Sequence, residues 1–214
     1  NNILRIRWLL MRFLLISAIK KASLLCMIFI SVSLFSGCVT SQQPQITPPG
    51  FDPAGYKTLR IDARKLQIIE NWQMPMEPPY IEHTLEPTMS GFIVEWASRV
   101  LIPVGGSGEL ILNISKASVT VSELPKSADL ASLFKNQQES KVRAEVKARL
   151  MWIQPIGDRH GTIEIDASAS KTVPEIATPN DYDVAVRQTM LDAIAQMDDQ
   201  IRTKTAEIPR LLLP

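Results

Sequence analysis

The run from Lys141 to Trp152 constrains the fold more than any other part of the chain. Val142, Ala144, Val146, Ala148, Leu150 and Trp152 alternate with Lys141, Arg143, Glu145, Lys147 and Arg149. Strict alternation marks a strand with one buried and one solvated face, the pattern of an antiparallel sheet. Pro155 to Gly161 reads as a turn, and Thr162 to Thr172 returns as the partner strand. Ile163, Ile165, Ala167 and Ala169 then face inward, with Glu164, Asp166, Ser168 and Ser170 outward. Glu164 and Asp166 would face the basic row of the preceding strand, where opposite charges across two strands are mildly stabilising.

The rest of the chain supplies what this hairpin must pack against. Thr58 to Glu70 alternates as a first strand, with a break expected near Arg64-Lys65. Asn71 to Pro87 holds Pro75, Pro78, Pro79 and Pro87, which forbid helix interior and central strand alike. Thr88 can cap a helix running to about Ile102, with Phe92, Ile93, Trp96 and Val100 on one face and Pro103 as its stop. Val104 to Gly108 is a glycine-rich turn. It lacks Gly-Lys-Ser/Thr and precedes a strand, so it does not read as a phosphate loop. Glu109 to Leu124 alternates as the next strand, and Ser127 to Phe134 has room for two helical turns.

Thr178-Pro179 opens a final helix to about Ile208. It would turn Met190, Leu191, Ile194, Met197 and Ile201 inward. Asp183, Asp192, Asp198, Asp199, Arg202 and Lys204 would face water. The apolar tail Arg210 to Pro214 packs back on the sheet or serves as a contact. These elements predict an α+β two-layer sandwich in the order β-α-β-β-β-α. A mixed or antiparallel sheet of about four strands carries two amphipathic helices on one face. A right-handed crossover through the first helix would set the first two strands parallel.

Ahead of this domain, Leu34-Phe35-Ser36-Gly37-Cys38 closes an apolar run that begins at Ala22, behind Lys20-Lys21. A basic flank, an apolar stretch and small residues before a cysteine read as a bacterial lipoprotein signal. The expectation is removal of residues 1–37 and attachment of Cys38 to diacylglycerol, palmitate among its acyl chains. A Pro-rich tether over 38–56 and one periplasmic domain over 57–214 would follow. The run from Ala22 to Gly37 falls short of the ~20 apolar residues of a membrane span. Five basic and no acidic residues precede Cys38, so 18 basic and 22 acidic residues follow it, a net −4. A mildly acidic domain offers no electrostatic footprint for nucleic acid. With Cys26 removed and Cys38 acylated, no thiol would be left for a disulfide, a nucleophile or a zinc site.

Several stretches resemble uncharacterised periplasmic lipoproteins of alphaproteobacterial type. They are the Trp-x-x-Pro at Trp72 to Pro75, the helix-to-strand passage from Trp96 to Gly108 (with Val100 before Leu101), Ala117-Ser118-Val119, and the final helix from Leu191 to Ile201. The architecture is more distantly similar to the auxiliary lipoproteins of ABC-type lipid-transport systems. With Val39 rather than Asp after the cysteine, the resemblance implies the outer membrane rather than the inner.

No catalytic constellation stands out. Ser107 and Ser118 lack a nucleophile-elbow context. His83 and His160 have acidic neighbours but no second ligand at helical spacing, so neither a metal nor a cofactor is expected. Asp198-Asp199 reads as a solvated helix face. The candidate contact surface is Trp72, Met74, Met76 and Tyr80, expected to gather beside the Thr88 helix. Prolines stiffen their loop, and Trp, Tyr and Met are enriched in interface cores. The expected function is a non-enzymatic domain, anchored to the membrane through Cys38, that contacts an envelope protein. The alternative is an auxiliary transport component carrying an apolar ligand between sheet and helices.

Overall fold

The computed structural model describes residues 47–124 and 139–214, all within the unit Gln45–Pro214. The signal region with Cys38, and the short helix expected at Ser127 to Phe134, lie outside the described residues.

The elements are β1 (Leu59–Ile61), β2 (Lys65–Glu70), α1 (Met89–Val100), β3 (Leu101–Pro103), β4 (Glu109–Glu123), β5 (Glu139–Gln154), β6 (Arg159–Pro174) and α2 (Pro179–Ala206). The main sheet has the order β2-β4-β5-β6. β2 runs parallel to β4, while the long hairpins β4–β5 and β5–β6 are antiparallel. β1 and β3 form a separate parallel pair, from Leu59 opposite Leu101 to Ile61 opposite Pro103. Both parallel pairings span the same crossover helix, α1, because parallel neighbours need a long connection. Both helices cover the apolar sheet face, α1 over β2 and β4, α2 over β5 and β6. The α+β sandwich expected from the pattern is therefore what forms.

The alternation in β5 holds over its full length, with Val142, Ala144, Val146, Ala148, Leu150 and Trp152 buried. The outward row pairs as expected. Arg149 Nε lies 2.5 Å from Glu164, and Lys147 Nζ 3.1 Å from Asp166. In β4 a bulge at Ser115 shifts the inward set from Leu110, Leu112 and Ile114 to Ala117 and Val119. A bulge carries one extra residue, so the alternation changes phase there.

The first strand breaks as expected, and packing shows why. Between β1 and β2 the chain kinks at Asp62–Arg64, and Gly105 lies against the kink. A Cβ on Gly105 would sit 2.5 Å from Asp62 Oδ1 and 2.7 Å from the Ala63 nitrogen. Gly108 has φ +82, and its Cβ would meet the Ile153 carbonyl at 2.6 Å. The glycine run is thus a close-approach device. Around it Arg159 donates to Asp62 (3.0 Å), Trp152 Nε1 to the Asp62 carbonyl (2.7 Å), and Ser107 to Gln154 (2.5 Å). Gly105→Ala is expected to cost about 1–3 kcal/mol through forced displacement of the kink, measured by urea unfolding.

Three expectations are corrected. The first helix ends at Val100, not Ile102, and Leu101 enters β3 directly. Ile102 precedes Pro103, and the residue before proline is pushed out of the helical region. Asp198 does not face water: it is 7% exposed and bound between the helices. Phe51 to Tyr56, read as the end of the tether, is docked. Phe51 stacks on Tyr56 at 5.3 Å and meets Phe92 at 6.5 Å, and Arg202 donates to the Lys57 carbonyl.

The apolar tail does pack back. Leu211 is fully buried, and Leu213 N–H donates to the Arg60 carbonyl at 2.8 Å, adding an antiparallel partner to β1. On β6 the Gln200 side chain of α2 pairs with both the N–H and the carbonyl of Asp166, at 3.2 and 2.8 Å. Lys204 donates to the Glu164 carbonyl. These contacts occupy part of the β6 edge, which would otherwise offer free main-chain groups to another strand.

Candidate functional site

The loop from Asn71 to Pro87 joins β2 to α1 and is folded along one strand. Asn71 N–H donates to the Ile114 carbonyl (2.9 Å), continuing β2 for one residue past its end. The chain then leaves and returns the other way. Tyr80 bridges Thr120 in antiparallel sense, Val121 N–H donates to the Pro79 carbonyl (2.9 Å), and Ile81 N–H donates to the Val119 carbonyl (3.0 Å). The bulge at Ser115 lies between these two attachments. The peptide bonds before Pro79 and Pro87 are cis. A 3₁₀ turn, Glu82–Thr84, leads to Thr88, whose hydroxyl accepts from Gly91 N–H and caps α1.

The four candidate side chains divide. Trp72 and Tyr80 lie together at the root of the loop, ring centroids 6.3 Å apart, and Trp72 packs on the core. Met74 is half-buried. Met76 stands at the tip, 73% exposed. The main-chain bonds beside Tyr80 run to β4.

Sequence reasoning missed what lies under the root. Glu82 is fully buried, and neither carboxylate oxygen has a hydrogen-bond partner. Ser118 is fully buried with its hydroxyl unpartnered, although its register opposite Glu145 places it on the outward face of the sheet. Trp72 Nε1 is buried and unpartnered as well. Buried polar groups are nearly always satisfied, so three such residues against one strand need an explanation. No sequence signal marks Glu82. It sits in Tyr-Ile-Glu-His with no periodicity to assign a face.

The neighbouring outer-face charges are fully engaged. Lys116 Nζ reaches Glu145 at 2.5 Å and Arg143 reaches it at 2.8 Å. Hydrogen bonding from Lys116, with the charges of Lys116 and Arg143, holds the Glu145 carboxyl below its ordinary range against the opposing effect of burial. A depressed folded value makes this contribution present above the unfolded carboxyl range and lost as pH falls through the folded value. Lys116→Met is expected to move Glu145 upward and blunt the acid-side loss, read by carboxyl NMR titration.

The histidines do not assemble a site. His83 is exposed while its neighbour Glu82 is buried, and no group of three potential metal ligands exists among the described residues. One surface hollow of about 530 Å³ is lined by Ser115, Lys147, Glu164, Asp166 and the two side chains that bond the β6 edge, Gln200 and Lys204. A smaller one of about 340 Å³ lies at Val173, Ile176 and Ala185.

Fold and loop together define an α+β sandwich that presents a proline-stiffened loop from its sheet edge. No family model and no curated protein matches the chain. Among solved structures it is similar to a minor lipoprotein from Acinetobacter baumannii, at 14% identity and a TM-score of 0.41, over 72% of this chain and 98% of that one. It is also similar to a neuraminyllactose-binding hemagglutinin homolog from Helicobacter pylori, at 9% identity and a TM-score of 0.36, over 77% and 97%. Both likenesses are too distant to carry anything about this chain's activity.

Proposed function

We propose that this protein is a bacterial lipoprotein, held by acyl chains on Cys38 at the periplasmic face of the outer membrane. Its α+β domain contacts another envelope protein through the loop 71–87 and performs no catalysis. The observation that carries the contact reading is the loop itself. A large thioether, Met76, projects at 73% exposure from a segment whose two ends are hydrogen-bonded to β4. A pre-ordered apolar tip loses little entropy on docking. The leader supports the anchoring, and among the described residues no helix is long and apolar enough to cross a membrane.

The ligand-carrier alternative has less support. The space between sheet and helices is filled by Met89, Phe92, Ile93, Trp96, Met190 and Ile194, each exposed by at most 1%. The two hollows described above open at the surface.

The test places a photo-crosslinking residue at 76 and, as a control, at the equally exposed Ile176, in cells. A discrete protein adduct from position 76 alone is expected. Adducts absent at 76, or alike at both positions, would contradict the reading. Trp72→Ala should weaken the adduct while lowering stability by about 1–2 kcal/mol, less than the ~3–5 kcal/mol of a core tryptophan, because Trp72 is only partly buried and its N–H is unpartnered. Thermal melts of the purified variant read the second quantity.

A further inference from the structure

The unpartnered groups under the loop point to a specific occupant. Asn71 is bonded to Ile114 and Ile81 to Val119, so Trp72 and Glu82 flank the stretch of β4 that contains Ser118. Trp72 Nε1 is a donor, the Glu82 oxygens are acceptors, and the Ser118 hydroxyl is either. All are buried and none has a partner. A buried carboxylate is stable only when paired or fully hydrogen-bonded. The cations that β4 and β5 place beside Ser118, Lys116 and Arg143, are both bound to Glu145. Among the described residues no cation is hydrogen-bonded to Glu82.

We infer that Glu82 is the seat for a lysine or arginine side chain on an extended segment of a protein partner. Ser118 Oγ and the Trp72–Tyr80 ring pair flank the cation, and Trp72 Nε1 donates to a main-chain carbonyl of the same segment. Aromatic faces favour a desolvated cation. A charged hydrogen bond to carboxylate is the strongest kind available there. The 18 basic against 22 acidic residues from Cys38 onward complement a basic partner. Glu82 is closed off from solvent, so the partner segment has to shift the loop beside it, at the cost of bonds that tie the loop to Val119 and Val121. This inference rests on the contact reading and names the partner's chemistry.

The experiment uses the full chain in detergent with isotope-labelled indole nitrogens, the Trp72 signal being assigned by Trp72→Phe. The probe is blocked Gly-Lys-Gly. Controls are Gly-norleucine-Gly, Gly-Glu-Gly and n-butylamine. Saturable movement of the Trp72 N–H by the lysine peptide is expected, with Kd of about 1 mM. Glu82→Gln should weaken it about tenfold or more with the melting temperature kept or raised, and the norleucine and glutamate peptides should give none. The inference is overturned by no saturable shift, by equal binding of the norleucine or glutamate peptide, or by a Glu82→Gln variant that folds and binds as before. Equal affinity for n-butylamine also overturns it, since the site would then take small amines rather than a peptide. Failed peptide binding with the adduct from position 76 intact refutes this inference alone. Loss of that adduct refutes the contact reading instead.

Discussion

Asp198→Ala should lower stability by about 3 kcal/mol, a substantial part of the 5–15 kcal/mol typical of a domain. Asp198 is 7% exposed and accepts three bonds: one between the helices, from Trp96 Nε1 at 3.0 Å, and two within α2, from Arg202 at 2.6 and 2.9 Å. Truncation strands the fully buried Trp96 N–H and leaves the guanidinium with the Lys57 carbonyl alone. Loss of a buried pair's partner costs ~3–5 kcal/mol. The low end applies because the Arg202 side chain keeps 26% exposure and can recruit water. At this chain length the melting temperature should drop by roughly 6–12 °C. Asp198→Asn keeps an acceptor for Trp96 and should cost less. Tyr56 supplies an independent readout. Burial raises its hydroxyl above the ordinary range, and Asp198 raises it further. Ultraviolet titration of Asp198→Ala should therefore bring the phenol down part of the way.

The second large effect is on anchoring. Cys38→Ser should abolish lipid labelling and block cleavage of the leader, because the hydroxyl cannot form the thioether on which processing depends. One acyl chain binds a bilayer only marginally, and stable attachment takes more than one. A variant without acylation should thus lose its permanent anchor altogether. If the leader is still removed by another peptidase, the domain should appear in the soluble periplasmic fraction. Radiolabelled fatty acid and cell fractionation read both effects.

How much of this was legible in the residues depends on where the information sits. β5 and β6 were readable because one face is buried and the other wet, so alternation encodes the sheet directly. β4 was readable up to its bulge, where Ser115 shifts the phase. β3 leaves no such signal, because three residues between a helix and a glycine turn carry no period of their own. Their strand is defined by pairing to Leu59–Ile61, a contact between distant parts of the sequence.

The burial of Asp198 was invisible for a related reason. A charged residue beside Asp199 in an amphipathic helix reads as solvated until Trp96, a hundred residues away, supplies the indole that faces it. The proline loop showed its importance through composition, but its docking on β4 is set by main-chain bonds to Val119 and Val121 that leave no pattern. Glu82 and Ser118 belong to the same class. Each has an ordinary polar neighbourhood in sequence, and their significance lies in the partners the fold withholds from them.

The central claim is a domain hung from a lipid on Cys38, and the mass of its N-terminal peptide tests it most directly. The protein is extracted from its own membranes, digested, and analysed by mass spectrometry. The account predicts a peptide that begins at Cys38 and carries a diacylglyceryl thioether with an acylated α-amine. A peptide running unbroken through Gly37-Cys38 with a free thiol would contradict it.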